Sequence, residues 1–352
     1  MDASLTAAID ALHTEGAAAA GALAGAPLRA LALRVLAEPD AERKAALTFA
    51  IAAAHERGLL SLDASGADAS AAVPDRPARP AGVTLVAPLR VKSSTRRHML
   101  HSLVHAESYA IDLAWDLIAR FGWSSELWGP PREDEGAADA DAVEGATGVD
   151  SGAANGIGGG NGVREAAAAA APRLPDSFFS SWVTVAAEEA KHFSRWRLRL
   201  LAAHATRYGD LPGHEGLWQS ALDTRSSLLA RLSVVHCVHE ARGLDVAPLM
   251  RKKLGDDAAS VAVLDGNVEE EVGHVGEGRR WIEYVCAEKV VPAADPRRVY
   301  QACVKRYFYG RICEPFAVEK RNRAGLTIEW YGPLAHEGVP RDAEELSAAD
   351  MG

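Results

Sequence analysis

Two short stretches constrain this chain more than any others: Glu188-Glu189-Ala190-Lys191-His192 and Glu270-Glu271-Val272-Gly273-His274. Each holds a Glu-x-x-His pair, Glu189 with His192 and Glu271 with His274. On a helix, residues three apart share a face, one turn above the other, so a carboxylate and an imidazole can grip one metal ion. Two such helices, with a lone Glu from each of two more, make the di-iron or di-manganese carboxylate site of a four-helix bundle. Glu107 precedes the first pair and Glu240 lies between the two. The bare motif is weak, because chance alone gives about one His in such a chain a Glu three residues before it. Its context is stronger. Leu103, Val104 and Ile111 share a helical face with Glu107, Trp182, Val185 and Phe193 with Glu189, Leu229 and Leu232 with Glu240, and Val268, Val275 and Ile282 with Glu271. Four carboxylates facing one core demand compensating charge. Ion pairs with arginine explain one or two such residues, not six in this order.

The segments His105-Ala106-Glu107, Ala186 to Ser194, Glu240 to Asp245 and Glu270 to Val275 resemble an uncharacterised ferritin-like family, catalogued as domain of unknown function 455. The resemblance also takes in Arg76-Pro77-Ala78-Arg79-Pro80 and Ala324 to Tyr331. It implies an all-α fold, a ferritin-like four-helix bundle with extra N-terminal and C-terminal helices. It implies that Glu107, Glu189 and His192 hold one ion and that Glu240, Glu271 and His274 hold the other, with Glu189 and Glu271 as bridges. The donor set suits two iron ions, with manganese or a mixed pair as alternatives. The resemblance carries no substrate, and no catalytic side chain is assigned.

Residues 1–26 are expected to be flexible and 27–92 to form N-terminal helices and a Pro-rich strap. The bundle is expected over 93–290, interrupted by a disordered acidic and Gly/Ala-rich insertion at 129–172. A C-terminal helical segment at 291–335 and a flexible tail at 336–352 follow. The resemblance requires parallel second and third bundle helices, and hence a long crossover. If residues 208–223 made that crossover alone they would span about 46 Å, close to full extension. His98, His101 and His105 read as a polar helix face, His236 as a neighbour of Glu240, and His239 as packing. Gly273, Gly276 and Gly278 read either as close helix packing or as room beside His274.

The net charge of −10 argues against broad binding to nucleic acid. The four Cys show no metal-binding spacing and read as reduced thiols. Met1 to Gly16 lacks a basic leader and no stretch suits a membrane span, so a cytoplasmic location is expected, with an organellar leader left open. Three functions compete. The first is a dioxygen-activating oxidoreductase that takes a small-molecule substrate and an unknown electron donor. The second is a metal-binding or storage protein without turnover, and the third a helical scaffold with a vestigial site. The oligomeric state is not legible.

Overall fold

The computed structural model describes residues 3–63, 71–87, 95–129, 173–290 and 294–335. Its helices, in chain order, are α1 (Ala3–Ala19), α2 (Leu28–Ala37), α3 (Ala41–Glu56), α4 (Arg96–Phe121), α5 (Asp176–His204) and α6 (Gly216–Asp223). They continue with α7 (Leu228–Ser233), α8 (Glu240–Leu254), α9 (Ala258–Val285), α10 (Pro296–Tyr307), α11 (Val318–Arg323) and α12 (Ile328–Tyr331). A π-helical stretch, Val234–His239, joins α7 to α8 without a break. The fold is all-α: the described residues hold two isolated β-bridges and no longer strand. None of the helices is long and apolar enough to cross a membrane.

Side-chain caps fix where α4, α7 and α9 begin. Thr95 Oγ1 accepts from His98 N at 3.2 Å, Ser227 Oγ from Ala230 N at 3.2 Å, and Asp257 Oδ1 from Ser260 N at 3.0 Å. Each satisfies a backbone donor that a helix start otherwise leaves orphaned. Between the helices, Trp115, Trp182, Trp196, Trp281, Phe178 and Phe179 are fully buried, each contributing about 1.5–3 kcal/mol or more of apolar transfer energy.

Contacts at the helix ends give the directions. α4 and α5 are antiparallel, with Arg97 bonded to Thr206 at one end and Leu174 to Gly122 at the other. α7–α8 is antiparallel to α4, since Arg231 meets Asp116 while Arg96 meets Asp256. α9 is antiparallel to α5, through Arg199 with Asp257 and Arg280 with Ser181. α5 and α7–α8 therefore run parallel, and residues 205–227 must cross the length of the core. The crossover lies along α4 and contains α6, whose Trp218 stacks on Tyr109 at 6.1 Å. It reaches further in both directions than 208–223, so helical rise leaves about 36 Å to span. The strain anticipated from the sequence is absent.

Two sequence expectations change. Residues 1–26, expected to be flexible, contain α1, which packs on α3 through small residues: a Cβ on Gly16 would sit 2.7 Å from Phe49 Cβ. Ala and Gly lack an apolar stripe, yet they permit this close approach. His101 and His105, expected on a polar face, are buried and fasten the crossover. His101 Nε2 accepts from Gly209 N at 3.1 Å, and His105 Nε2 lies 2.7 Å from the His214 carbonyl oxygen. In the C-terminal segment Arg321 is buried in an ion pair with Asp245, and the more exposed Lys320 and Arg323 meet Glu269. The described part of the strap packs against α4, with Arg79 donating to Ser108 Oγ at 3.0 Å and lying over the Tyr109 ring. Apart from Gly129, the insertion expected at 129–172 lies outside the described residues, as does the tail at 336–352.

Candidate metal centre

The four central helices bring Glu107 (α4), Glu189 and His192 (α5), Glu240 (α8), and Glu271 and His274 (α9) to one place. They form two overlapping sets, Glu107, Glu189, His192 and Glu271, and Glu189, Glu240, Glu271 and His274. In each set one ligating atom per residue lies within 4.8 Å of all the others. Glu189 and Glu271 belong to both, the position a bridging carboxylate occupies. The arrangement is nearly two-fold. His192 Nδ1 lies 3.2 Å from Glu271 Oε1 and 3.5 Å from Glu189 Oε2. His274 Nδ1 lies 2.9 Å from Glu189 Oε1 and 3.2 Å from Glu271 Oε2. Glu107 and Glu240 close the two ends, with Glu107 Oε2 4.0 Å from His192 Nδ1.

These contacts are close but are not aligned as hydrogen bonds. Both Glu189 oxygens, Glu271 Oε2 and the Nδ1 atoms of His192 and His274 are buried without a hydrogen-bond partner. Leaving one such group unpaired costs about 1–3 kcal/mol. Five lone-pair atoms left over in one small volume fit a cation-binding site, and each overlapping set is able to hold one ion.

The outer nitrogens are fully engaged, through residues the sequence reading did not assign. Glu188 Oε2 accepts from His274 Nε2 at 2.9 Å, and Glu270 Oε2 from His192 Nε2 at 2.8 Å. The first Glu of each Glu-Glu-x-x-His stretch thus orients the imidazole of the other stretch. Such carboxylate–imidazole pairs fix the tautomer that leaves Nδ1 free for a metal. The signal was the doubled glutamate, since adjacent helical residues point about 100° apart.

The electrostatics follow from the crowding. Burial pushes the Glu107 and Glu240 carboxyls well above the usual carboxylate range, and neighbouring carboxylates add to this. Burial also opposes ionisation of Glu189 and Glu271, but the facing imidazoles outweigh it and hold both below their ordinary values. Burial opposes protonation of His192 and His274, and the surrounding carboxylates reverse it, raising both well above the ordinary value.

The other candidates separate. His236 is buried with both ring nitrogens unpaired, its Nδ1 3.9 Å from Glu240 Oε1 and its ring 4.3 Å from that of Trp182. His239 turns outward and pairs with Ser220 Oγ at 2.8 Å, a packing role. The glycines of α9 do not line a pocket beside His274. Gly273 is exposed, and Gly276 faces the Ala324 carbonyl. Gly278 serves close packing, because a Cβ there would lie 2.2 Å from the His236 carbonyl oxygen. That contact sets α9 directly against the π-helical stretch, a widened turn common at functional sites, just before Glu240.

A protein of Haemophilus influenzae described as uncharacterized is 30% identical over 159 residues, covering 44% of this chain and 54% of that protein. The match thus spans about half the length of that relative. No solved structure matches the chain. A family model described as "Protein of unknown function (DUF455)" matches residues 37–332, most of the chain and all six clustered residues, and the chain belongs to that family.

Proposed function

We propose that this is a ferritin-like protein whose centre holds two iron ions, with manganese or a mixed pair as the alternatives, and works as a dioxygen-activating oxidoreductase. The observation that carries this reading is the pair of overlapping donor sets sharing Glu189 and Glu271, with five buried lone-pair atoms left unpaired. Carboxylate oxygens with imidazole favour such ions over thiolate-seeking ones. When bound, the pair supplies the redox equivalents that side chains lack. The protein's own part is to position. Glu188 and Glu270 hold the imidazoles in register, and Glu107, Glu240 and Glu271, each partly accessible, leave a route for small molecules. Substrate and electron donor are small molecules or partners that this chemistry does not name.

A metal-binding protein without turnover is the second reading. It is favoured by one observation: the cavity between α6, α8 and the segment after α10 is not lined by any of the six clustered side chains.

Metal analysis and oxygen reactivity test both. The expected content is two ions per chain, with most of the metal lost in Glu189→Ala and in Glu271→Ala. Unchanged metal in both variants would refute the centre. Anaerobic reduction of the iron-loaded chain followed by oxygen should change its optical spectrum within seconds. Two irons inert to oxygen would establish the second reading, and uptake far above two per chain would establish storage.

A further inference from the structure

A cavity of about 650 Å³ lies on the far side of the third central helix from the metal centre. Its floor is Val238, His239 and Arg242, and α6 and the segment after α10 form its walls. Glu240 takes no part in the lining, so the helix separates cavity from cluster. The volume suits a small organic molecule.

The charges that line it are unequal in their freedom. Glu215 is paired with Arg76, and Asp245 with Arg321 at 2.6 Å. Asp223 accepts from Gln219 Nε2 at 2.9 Å. Arg242 makes one long bond, 3.4 Å, to the Cys313 carbonyl oxygen. Arg311 is exposed and has no ion-pair or hydrogen-bond partner among the described residues. Each acid thus has a short bond from the protein, whereas neither Arg242 nor Arg311 has an ion-pair partner among the described residues. Between them the lining is aromatic. Phe308 meets the His239 ring edge-on, and Tyr309 stands 82% exposed at the rim, the most exposed large hydrophobic residue described. An uncovered aromatic beside an unpaired guanidinium offers a flat apolar surface and a planar anion fork together.

We propose that this cavity binds a small organic anion, a carboxylate or phosphate ester carrying one flat ring, with Arg242 and Arg311 taking the charge and Phe308 and Tyr309 the ring. Among the lining acids only Asp223 lacks a cationic partner among the described residues, and Gln219 already engages it. A polynucleotide exceeds the volume and meets a net charge of −10. The site stands apart from the metal centre and does not depend on it.

The test is calorimetric titration of the full-length, metal-stripped chain with benzoate, phenyl phosphate, benzamide and inorganic phosphate. One of the two ring-bearing anions should bind saturably at one site per chain, and which of them binds tighter identifies the anionic group. Benzamide and inorganic phosphate should bind at least about tenfold more weakly, the scale of one charge-assisted contact. Arg242→Ala and Arg311→Ala should each weaken the preferred anion by about tenfold. Tyr309→Ala, at an exposed position that folding does not need, should weaken it by less. Benzamide binding as well as benzoate would overturn the proposal. So would unchanged affinity in the Arg242→Ala/Arg311→Ala double variant, or no saturable binding by any probe. If Arg242→Ala does not fold, the exposed Arg311 and Tyr309 positions still decide.

Discussion

Helix α4 carries two kinds of buried acid, and the fold treats them in opposite ways. Asp112 accepts from Lys44 Nζ at 2.5 Å and from Arg79, and Asp116 accepts from Arg120 Nη2 at 2.8 Å and from Arg231. Arg231 spends its other nitrogens on Thr224 Oγ1 and the Ala221 carbonyl. Burial opposes ionisation of Asp116, but Arg231 and Arg120 overcome it and lower its pKa. Five residues before Asp112, Glu107 faces the carboxylates of Glu189 and Glu271, with no arginine or lysine in the set. The cations nearest that cluster, Arg195 and Lys191, stop one residue short and bind Glu270 instead, at 3.1 and 3.0 Å. The fold thus gives Asp112 and Asp116 arginine or lysine partners but gives Glu189 and Glu271 only the imidazoles of His192 and His274, which suits the proposed metal ions at the second position.

The sharpest way to break this contrast is to neutralise one member of each group. Arg231→Met strands Asp116 without its buried partner and should cost about 3–5 kcal/mol of stability, measured by urea unfolding of the metal-stripped chain. Glu189→Gln removes a carboxylate whose partners are the titratable imidazoles of His192 and His274, which can release their protons in response, and should cost that stability less than Arg231→Met does, while abolishing stabilisation by added metal. Equal losses in the two metal-stripped variants would show that the cluster is an ordinary ion network.

A smaller effect is expected where α9 meets the π-helical stretch. Gly278→Ala must push the His236 carbonyl aside and should cost about 1–3 kcal/mol by overpacking. Because the displaced backbone leads directly into Glu240, metal affinity should fall too, at the site that includes His274. Wild-type stability and metal content in this variant would mean that the contact does not position Glu240.

The six clustered residues were legible because two independent periodicities coincided on them: the spacing of three within each pair, and the apolar stripe around it. The order of the helices followed from the same residues. What stayed hidden depended on partners distant in sequence. His105 looked like a surface histidine because its partners, Tyr208 and His214, lie more than 100 residues away. The π-helical stretch has no local signature, since it reflects the fit of Gly278 against another helix. α1 escaped notice because its packing rests on small residues, where hydrophobic periodicity carries no signal. The outer carboxylates were visible as Glu188 and Glu270 but unassigned, because only the packed helices show which imidazole each one faces.

The two histidine sets sharpen the comparison through pH, at up to about 1.4 kcal/mol per proton per pH unit. Burial lowers His101 to about 4 and His105 to about 3. The unfolded chain therefore takes up these protons first as pH falls below about 6.5, and stability should drop between there and about pH 4. His192 and His274 have the opposite sign. Their raised values stabilise the metal-stripped fold fully below about pH 6.5, and that contribution is lost as pH rises through the raised values. Glu107 and Glu240, also raised, act in the same direction. Metal must displace these protons, so loading at neutral pH should release protons into a weakly buffered solution and affinity should rise with pH. His105→Gln should flatten only the acid limb of the thermal midpoint profile. Metal binding without proton release would show that the cluster was already deprotonated.

The smallest effect separates the two halves of the centre. Glu188 and Glu270 play matching parts toward His274 and His192, but their surroundings differ. Glu270 also binds Lys191 and Arg195, whereas Glu188 is about one-third exposed and, among the described residues, its carboxylate is bonded only to His274. Gln at either position still accepts from the imidazole N–H, so the tautomer is kept and only the charge is lost. Glu188→Gln should therefore weaken one of the two metal sites by about tenfold, the low end for such outer partners, and leave the unfolding of the metal-stripped chain unchanged. Glu270→Gln should weaken the other site by a similar factor and also destabilise the stripped chain, because two cations lose their shared carboxylate. Stepwise competition with a chelator resolves the two sites. If Glu188→Gln weakens both sites equally, the reciprocal pairing does not divide the centre as the geometry indicates, and the two ions bind as one cooperative unit.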